Sequence, residues 1–274
     1  MKRGTLHALG AIALWATLAS LGVSLQHIPP FLLTGLALLI GSVPAWPLLR
    51  QWRVPPATLA LGVYGLFGFH FLLFIALRHA PPVQANLVNY LWPLLMVVLA
   101  PMLLRGVELA PVHVIAALVG FAGAAIAIAG GRQLDAGFAW GYLPAAGSAF
   151  IWASYSLLSQ RVAPFPTVAI GGFAAVSGLL SLLCHALLEP SAALSGQDWL
   201  LIALMGLGPL GGAFFLWDAA LKRGDARSIG LLSFLTPLLS TLLLLLLRGD
   251  RPSPSIALAA VMIVGAALVG TRAR

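Results

Sequence analysis

Asn86, Asn89, Tyr90 and Pro93 fall three or four residues apart in the stretch from Gln84 to Gly106, which is otherwise almost wholly apolar. On a helix that spacing puts them along one face. Two amides and a phenol bring hydrogen-bond donors and acceptors, and Trp92 adds an indole N–H. Lipid satisfies none of these groups, so the face reads as one wall of a polar cavity. Pro93 supplies no N–H to the carbonyl four residues before it and predicts a kink there.

More aromatic residues sit away from the ends of apolar runs: Trp15, Trp152, Tyr155 and Trp217. With Tyr90 and Trp92 they make up a cage that can stack on an apolar or aromatic side chain while N–H and O–H groups orient a polar end. Packing is the competing explanation for each, with amides tying helices together at about 0.6 kcal/mol per bond. His79, beside Arg78 at the end of the third apolar run, is placed to hydrogen-bond a zwitterion or to gain a proton, and equally to be a solvated loop residue. Asp218 is the one acid well inside an apolar run, which makes it a candidate proton site or amine partner. Lys222 stands four residues on and offers it an i,i+4 ion pair that snorkels to water.

The elements that position these residues follow from composition. Of 274 residues 61% are hydrophobic and only 8% charged, with a mean hydropathy of +1.01. A soluble domain carries about a quarter charged residues, so the chain reads as an all-α integral membrane protein. Runs near the roughly 20 residues that cross a bilayer cover 5–25, 29–49, 56–78, 83–104, 110–130, 138–160, 166–188, 198–221, 227–247 and 254–271, which predicts ten transmembrane helices. Met1-Lys2-Arg3 before an apolar run resembles a signal peptide, but nine further spans favour an uncleaved first helix.

The formal charge of +8 lies in the short connections and marks orientation, with no nucleic-acid partner expected. With the amino terminus inside, the inner segments hold 11 of the 15 basic residues, which predicts both termini in the cytoplasm. Trp46, Trp52, Trp140 and Trp199 fall near span ends as interfacial anchors. Cys184 is alone, so no intrachain disulfide forms. The six histidines are scattered over different runs, and no HExxH, GxSxG or phosphate-loop pattern occurs, so neither an enzyme nor a metal or cofactor is expected.

The two halves repeat. Gly10-Ala-Ile-Ala-Leu-Trp15-Ala16 is echoed by Gly147-Ser-Ala-Phe-Ile-Trp152-Ala153, and Tyr90-Leu-Trp92-Pro93 by Phe234-Leu-Thr236-Pro237. Ala76-Leu77 matches Ala220-Leu221, and Gly123-Ala-Ala matches Gly265-Ala-Ala. These echoes predict repeats over 1–130 and 138–272, joined between Gly131 and Gly137. Five helices is an odd number, so the second copy enters from the opposite side, giving an inverted-topology repeat. Pro93 and Pro237 occupy matching places and are the expected hinges.

Leu14-Trp15-Ala16 and Ile151-Trp152-Ala153, early in two five-helix halves, resemble the EamA-domain branch of the drug/metabolite transporter superfamily. Val88-Asn89-Tyr90-Leu91-Trp92-Pro93, Ala149-Phe150-Ile151-Trp152-Ala153 and Phe234-Leu235-Thr236-Pro237 narrow the resemblance to its bacterial exporters of aromatic amino acids. The pattern departs from them at Asp218, where an uncharged amide is expected, and at Pro81-Pro82. The resemblance implies export of aromatic and other neutral amino acids, or related small metabolites, across the inner membrane through a central cavity. A monomeric carrier with the membrane lipid as its other partner suits ten helices in two halves. Without a second buried carboxylate, facilitated diffusion is the expected mode. The alternative is a multidrug exporter of aromatic cations, proton-coupled through Asp218.

Overall fold

The computed structural model describes residues 3–129 and 137–272, and among them every regular element is helical. In chain order the helical segments are α1 (Arg3–Ser24), α2 (Pro30–Trp52), α3 (Pro56–His79), α4 (Pro82–Leu103), α5 (Pro111–Ala129), α6 (Tyr142–Leu158), α7 (Thr167–Leu188), α8 (Gly196–Leu221), α9 (Ala226–Arg248) and α10 (Pro254–Thr271). All but α6 are long and apolar enough to cross a membrane, nine among the described residues. α6 has 17 residues, about 25 Å at 1.5 Å per residue, against the 138–160 expected from hydropathy. Residues 131–136 of the expected junction between halves lie outside the described residues.

Proline sets many of the boundaries. α2, α3 and α4 each begin on a proline that follows another proline, at Pro29-Pro30, Pro55-Pro56 and Pro81-Pro82. The fixed φ suits the first helical position, where the missing N–H would lack a partner anyway. α8 begins instead with a capping box, Ser195 and Asp198 each accepting from the other's backbone N–H.

α1 is interrupted at Thr17, α2 passes into a 3-10 stretch at Val43–Trp52 with a kink at Leu48, and four more segments are irregular inside. α3 passes through a π-turn at Tyr64–Gly68 and α8 through one at Gly208–Gly212. α4 breaks at Tyr90-Leu91 and α9 at Ser233-Phe234, each just before Pro93 or Pro237. A proline removes one rung of the ladder and clashes with the turn before it, which accounts for both breaks.

The packing is paired. α2 lies along α7 and α5 along α10, α1 packs on α8 as α6 packs on α3, and α1 meets α9 as α6 meets α4. Close approach uses glycine: Gly62 seats the Phe173 ring and Gly65 the Tyr155 ring, while Gly41 meets the backbone of Gly206 and Gly211. Contacts sort the connections into two ends. Gly4 abuts Arg223 and Gly224, and Arg227 reaches the Glu108 carbonyl, at the amino-terminal end. At the other end His27 meets Asp198, Arg78 meets Glu189, and His79 meets Trp140.

Candidate functional site

Between the halves lies a cavity of about 570 Å³. It runs from mid-bundle, at Trp15, Trp92 and Trp152, toward Gly22, Pro30, Leu77 and Leu244 near the end away from the amino terminus. The breaks described above line it: Asn86, Asn89, Tyr90 and Trp92 come from the broken half of α4, and Thr236, Pro237, Ser240 and Thr241 from the matching part of α9.

Its floor is three indoles from three helices, backed by a fourth. Trp15 (α1), Trp92 (α4), Trp152 (α6) and Trp217 (α8) are all buried, with every pair of rings 5.1 to 6.4 Å apart. Most contacts are edge-to-face or tilted, the arrangement that the ring quadrupole favours. Trp15 donates from Nε1 to the Pro209 carbonyl at 3.1 Å, inside the α8 π-turn. Trp217 donates to Ser156 Oγ at 3.0 Å and stands behind the lining. Phe69 and Phe214 flank Trp152 at 5.4 and 5.6 Å.

Polar groups on the lining are few and uncharged. His70 Nδ1 lies 2.6 Å from the Leu66 carbonyl. A carbonyl only accepts, so Nδ1 carries the proton and the neutral ring keeps Nε2 as an acceptor. Asn89 Oδ1 is 2.8 Å from Ser148 Oγ, which ties α4 to α6. Among the described residues no Asp, Glu, Lys or Arg lines the cavity.

Of the residues singled out from sequence, Trp15, Asn86, Asn89, Tyr90, Trp92, Trp152 and Pro237 come together on this lining, and Pro93 is buried behind it. Tyr155 lies on Gly65 of α3, outside the lining. His79 also lies apart, its Nδ1 2.8 Å from the Ile75 carbonyl and its ring 4.2 Å from Trp140. Asp218 is buried away from the cavity, with Oδ2 accepting from Lys222 Nζ and from Thr167 Oγ1, both at 2.6 Å. Lys222 also donates to the Phe165 carbonyl at 2.8 Å and sits 3.9 Å over the Phe165 ring. Sequence reasoning passed over His70, Phe69 and Phe214. His70 shows no signal beyond its type, but Phe69 and Phe214 follow the two π-turns at closely matched places in the repeats.

A multi-pass helical bundle broken at paired prolines around a midplane cavity has the build of a membrane transporter. The chain belongs to the EamA-like transporter family, whose model matches twice, over residues 2–129 and 139–271. It is 44% identical over 277 residues to the aromatic amino acid exporter YddG of Ancylobacter novellus, spanning 97% of this chain and 96% of that protein. The exporter of the same name from Escherichia coli is 28% identical over 291 residues, covering 98% and 96%. A solved crystal structure superposes with a TM-score of 0.92 at 45% identity, over 98% of this chain and 96% of that one.

Proposed function

We propose that the chain exports neutral amino acids, aromatic ones among them, or closely related metabolites across the inner membrane by alternating access, as facilitated diffusion. The observation that carries this reading is the lining: three indoles, packed on a fourth behind them, beneath a cavity of about 570 Å³ without a charged side chain among the described residues. An aromatic side chain has rings to stack on, and a zwitterion, neutral overall, needs oriented donors and acceptors more than a counter-ion. Trp15 and Trp217 spend their N–H groups on the protein, which leaves the indoles of Trp92 and Trp152, the amide of Asn86, the phenol of Tyr90 and Nε2 of His70 for the solute. The names of the relatives support the same substrate class.

All ten helices span the membrane in this reading, as two inverted repeats of five. The mirrored helix pairings, the two π-turns 144 residues apart (208 − 64) and the double family match support it. The cavity is the site in the state open away from the amino terminus; with both termini cytoplasmic, that is the outward-open state of a monomeric carrier. Pro93 and Pro237 are the hinges that exchange it for its opposite.

Uptake of a labelled amino acid panel into liposomes holding the purified chain, with and without an imposed pH gradient, tests the reading. Saturable uptake that is lost in Tyr90→Ala and indifferent to pH is expected. Flux of an aromatic cation instead, driven by pH and abolished in Asp218→Asn, would replace it with a proton-coupled drug exporter. The burial of Asp218 against Lys222, away from the cavity, speaks against that alternative.

A further inference from the structure

Glu189 ends α7 with its carboxylate fully buried, and four groups from three elements converge on it. The backbone N–H of Phe31 donates to both oxygens at 3.1 Å and that of Leu32 to Oε2 at 3.3 Å. Arg78 Nη2, at the end of α3, donates to Oε1 at 2.7 Å, and His185 Nδ1 lies 3.1 Å from Oε2. A carboxylate out of water is costly unless compensated, and here every approach is occupied by a donor. The need is mutual. α2 begins at Pro29-Pro30 with no side-chain cap, so its first free N–H groups lack an acceptor from their own helix. Glu189 supplies one from the other half of the chain.

The place of this junction gives it a role. Phe31 is held from every side: its ring lies 5.3 Å from Phe74 and 5.7 Å from Phe71 of α3, Arg78 stands 5.6 Å over it, and its carbonyl accepts from Ser181 Oγ at 3.0 Å. One turn along α2, Leu33 and Thr34 line the cavity, and Phe74 and Leu77 of α3 line it too. The rim on this side is therefore two apolar helix ends that meet through Phe31, Phe71 and Phe74, so a small drift of either end changes its width. We propose that Glu189 is a positioning residue for the cavity mouth: it caps α2 and, through Arg78, holds α3 at the spacing that admits the solute. The inference rests on the cavity being the solute site, and it assigns Glu189 no contact with the solute.

Two readouts test it on the full chain. In liposomes with labelled phenylalanine, Arg78→Gln and Glu189→Gln are expected to raise KM about fivefold, with Vmax within about twofold, the scale of one partly exposed ion pair. Glu189→Gln keeps an acceptor for α2 and is expected to be milder than Glu189→Leu. The swap Arg78→Glu with Glu189→Arg restores the charges but leaves α2 uncapped, so it is expected not to rescue. Separately, with Cys184→Ser as background, a membrane-impermeant maleimide is expected to label Thr34→Cys about fivefold more slowly once Arg78→Gln is added, as the rim closes. Unchanged KM together with unchanged or faster labelling would overturn the proposal, and full rescue by the swap would reduce it to an ordinary ion pair. If the parent takes up no phenylalanine, the transport reading fails, while the labelling arm still decides the role of Glu189.

Discussion

The Trp15 indole and the Pro209 carbonyl, 194 positions apart, are joined by a 3.1 Å hydrogen bond that pins α1 to the π-turn of α8. Trp15→Phe keeps a ring on the cavity floor but takes the donor away from a carbonyl on a buried residue. A loss of about 1–3 kcal/mol is expected for an orphaned buried acceptor. Thermal unfolding in detergent measures it; an unshifted midpoint would mean that the π-turn satisfies Pro209 by itself.

Asp218 and Lys222 form a pair 2.6 Å apart, with Thr167 sharing the carboxylate. Asp218→Asn leaves the lysine uncompensated and is expected to cost about 1–2 kcal/mol, less than a fully buried pair because Lys222 is partly exposed. Transport is expected to survive. The double variant Asp218→Asn with Lys222→Gln should recover most of the stability. Abolished flux in a well-folded Asp218→Asn protein would make the carboxylate part of the transport cycle.

Glycines divide by what faces them. At Gly65 a methyl group would fall into the Tyr155 ring, whereas at Gly265 nothing lies within 4 Å. Gly65→Ala is expected to destabilise by about 1–3 kcal/mol through overpacking. Gly265→Ala should be neutral or gain up to about 1 kcal/mol of helix propensity. Melting curves of the two variants side by side provide the check.

Breaks in α4 and α9 sit two to four residues before Pro93 and Pro237. Restoring an N–H with Pro93→Ala or Pro237→Ala straightens the helix and is expected to slow transport more than it lowers the amount of protein in the membrane. Normal flux at normal expression would show that bending there is not part of the cycle.

Much of this was legible before any coordinates. Hydropathy located nine spans among the described residues, and the shorter α6 where a tenth is expected, because lipid leaves few ways to bury a backbone; Asn86, Tyr90 and Trp92 stand out because polar groups are rare in such a run. α6 was overestimated because Phe138 and Trp140, exposed and ahead of the helix, read as a continuation of its apolar stretch. Two aromatic residues were harder to place. Tyr155 and Trp217, like Trp152, join an aromatic ring to a polar hydrogen, and only the geometry of Gly65 and Ser156 decides that they face protein. His79 draws notice for its position beside Arg78, yet it is Arg78 that reaches across to the other half, and its partner Glu189 lies 111 residues away. His70 carries no local mark: its value comes from the Leu66 carbonyl that fixes its tautomer, a fact of three dimensions.

The π-turns of α3 and α8 have a bearing on how this sequence tolerates length change. Each accommodates one residue more than an α-turn would, and one residue is worth about 100° of rotation around a helix axis. Deleting a single residue from Tyr64–Gly68 would let the turn close to an ordinary α-turn, so Phe69 and His70 would keep nearly their facing, whereas a deletion in the regular helix beyond them would swing everything after it by that angle. A gap is thus absorbed at the π-turn and felt along the regular helix, a difference that no count of spans would register.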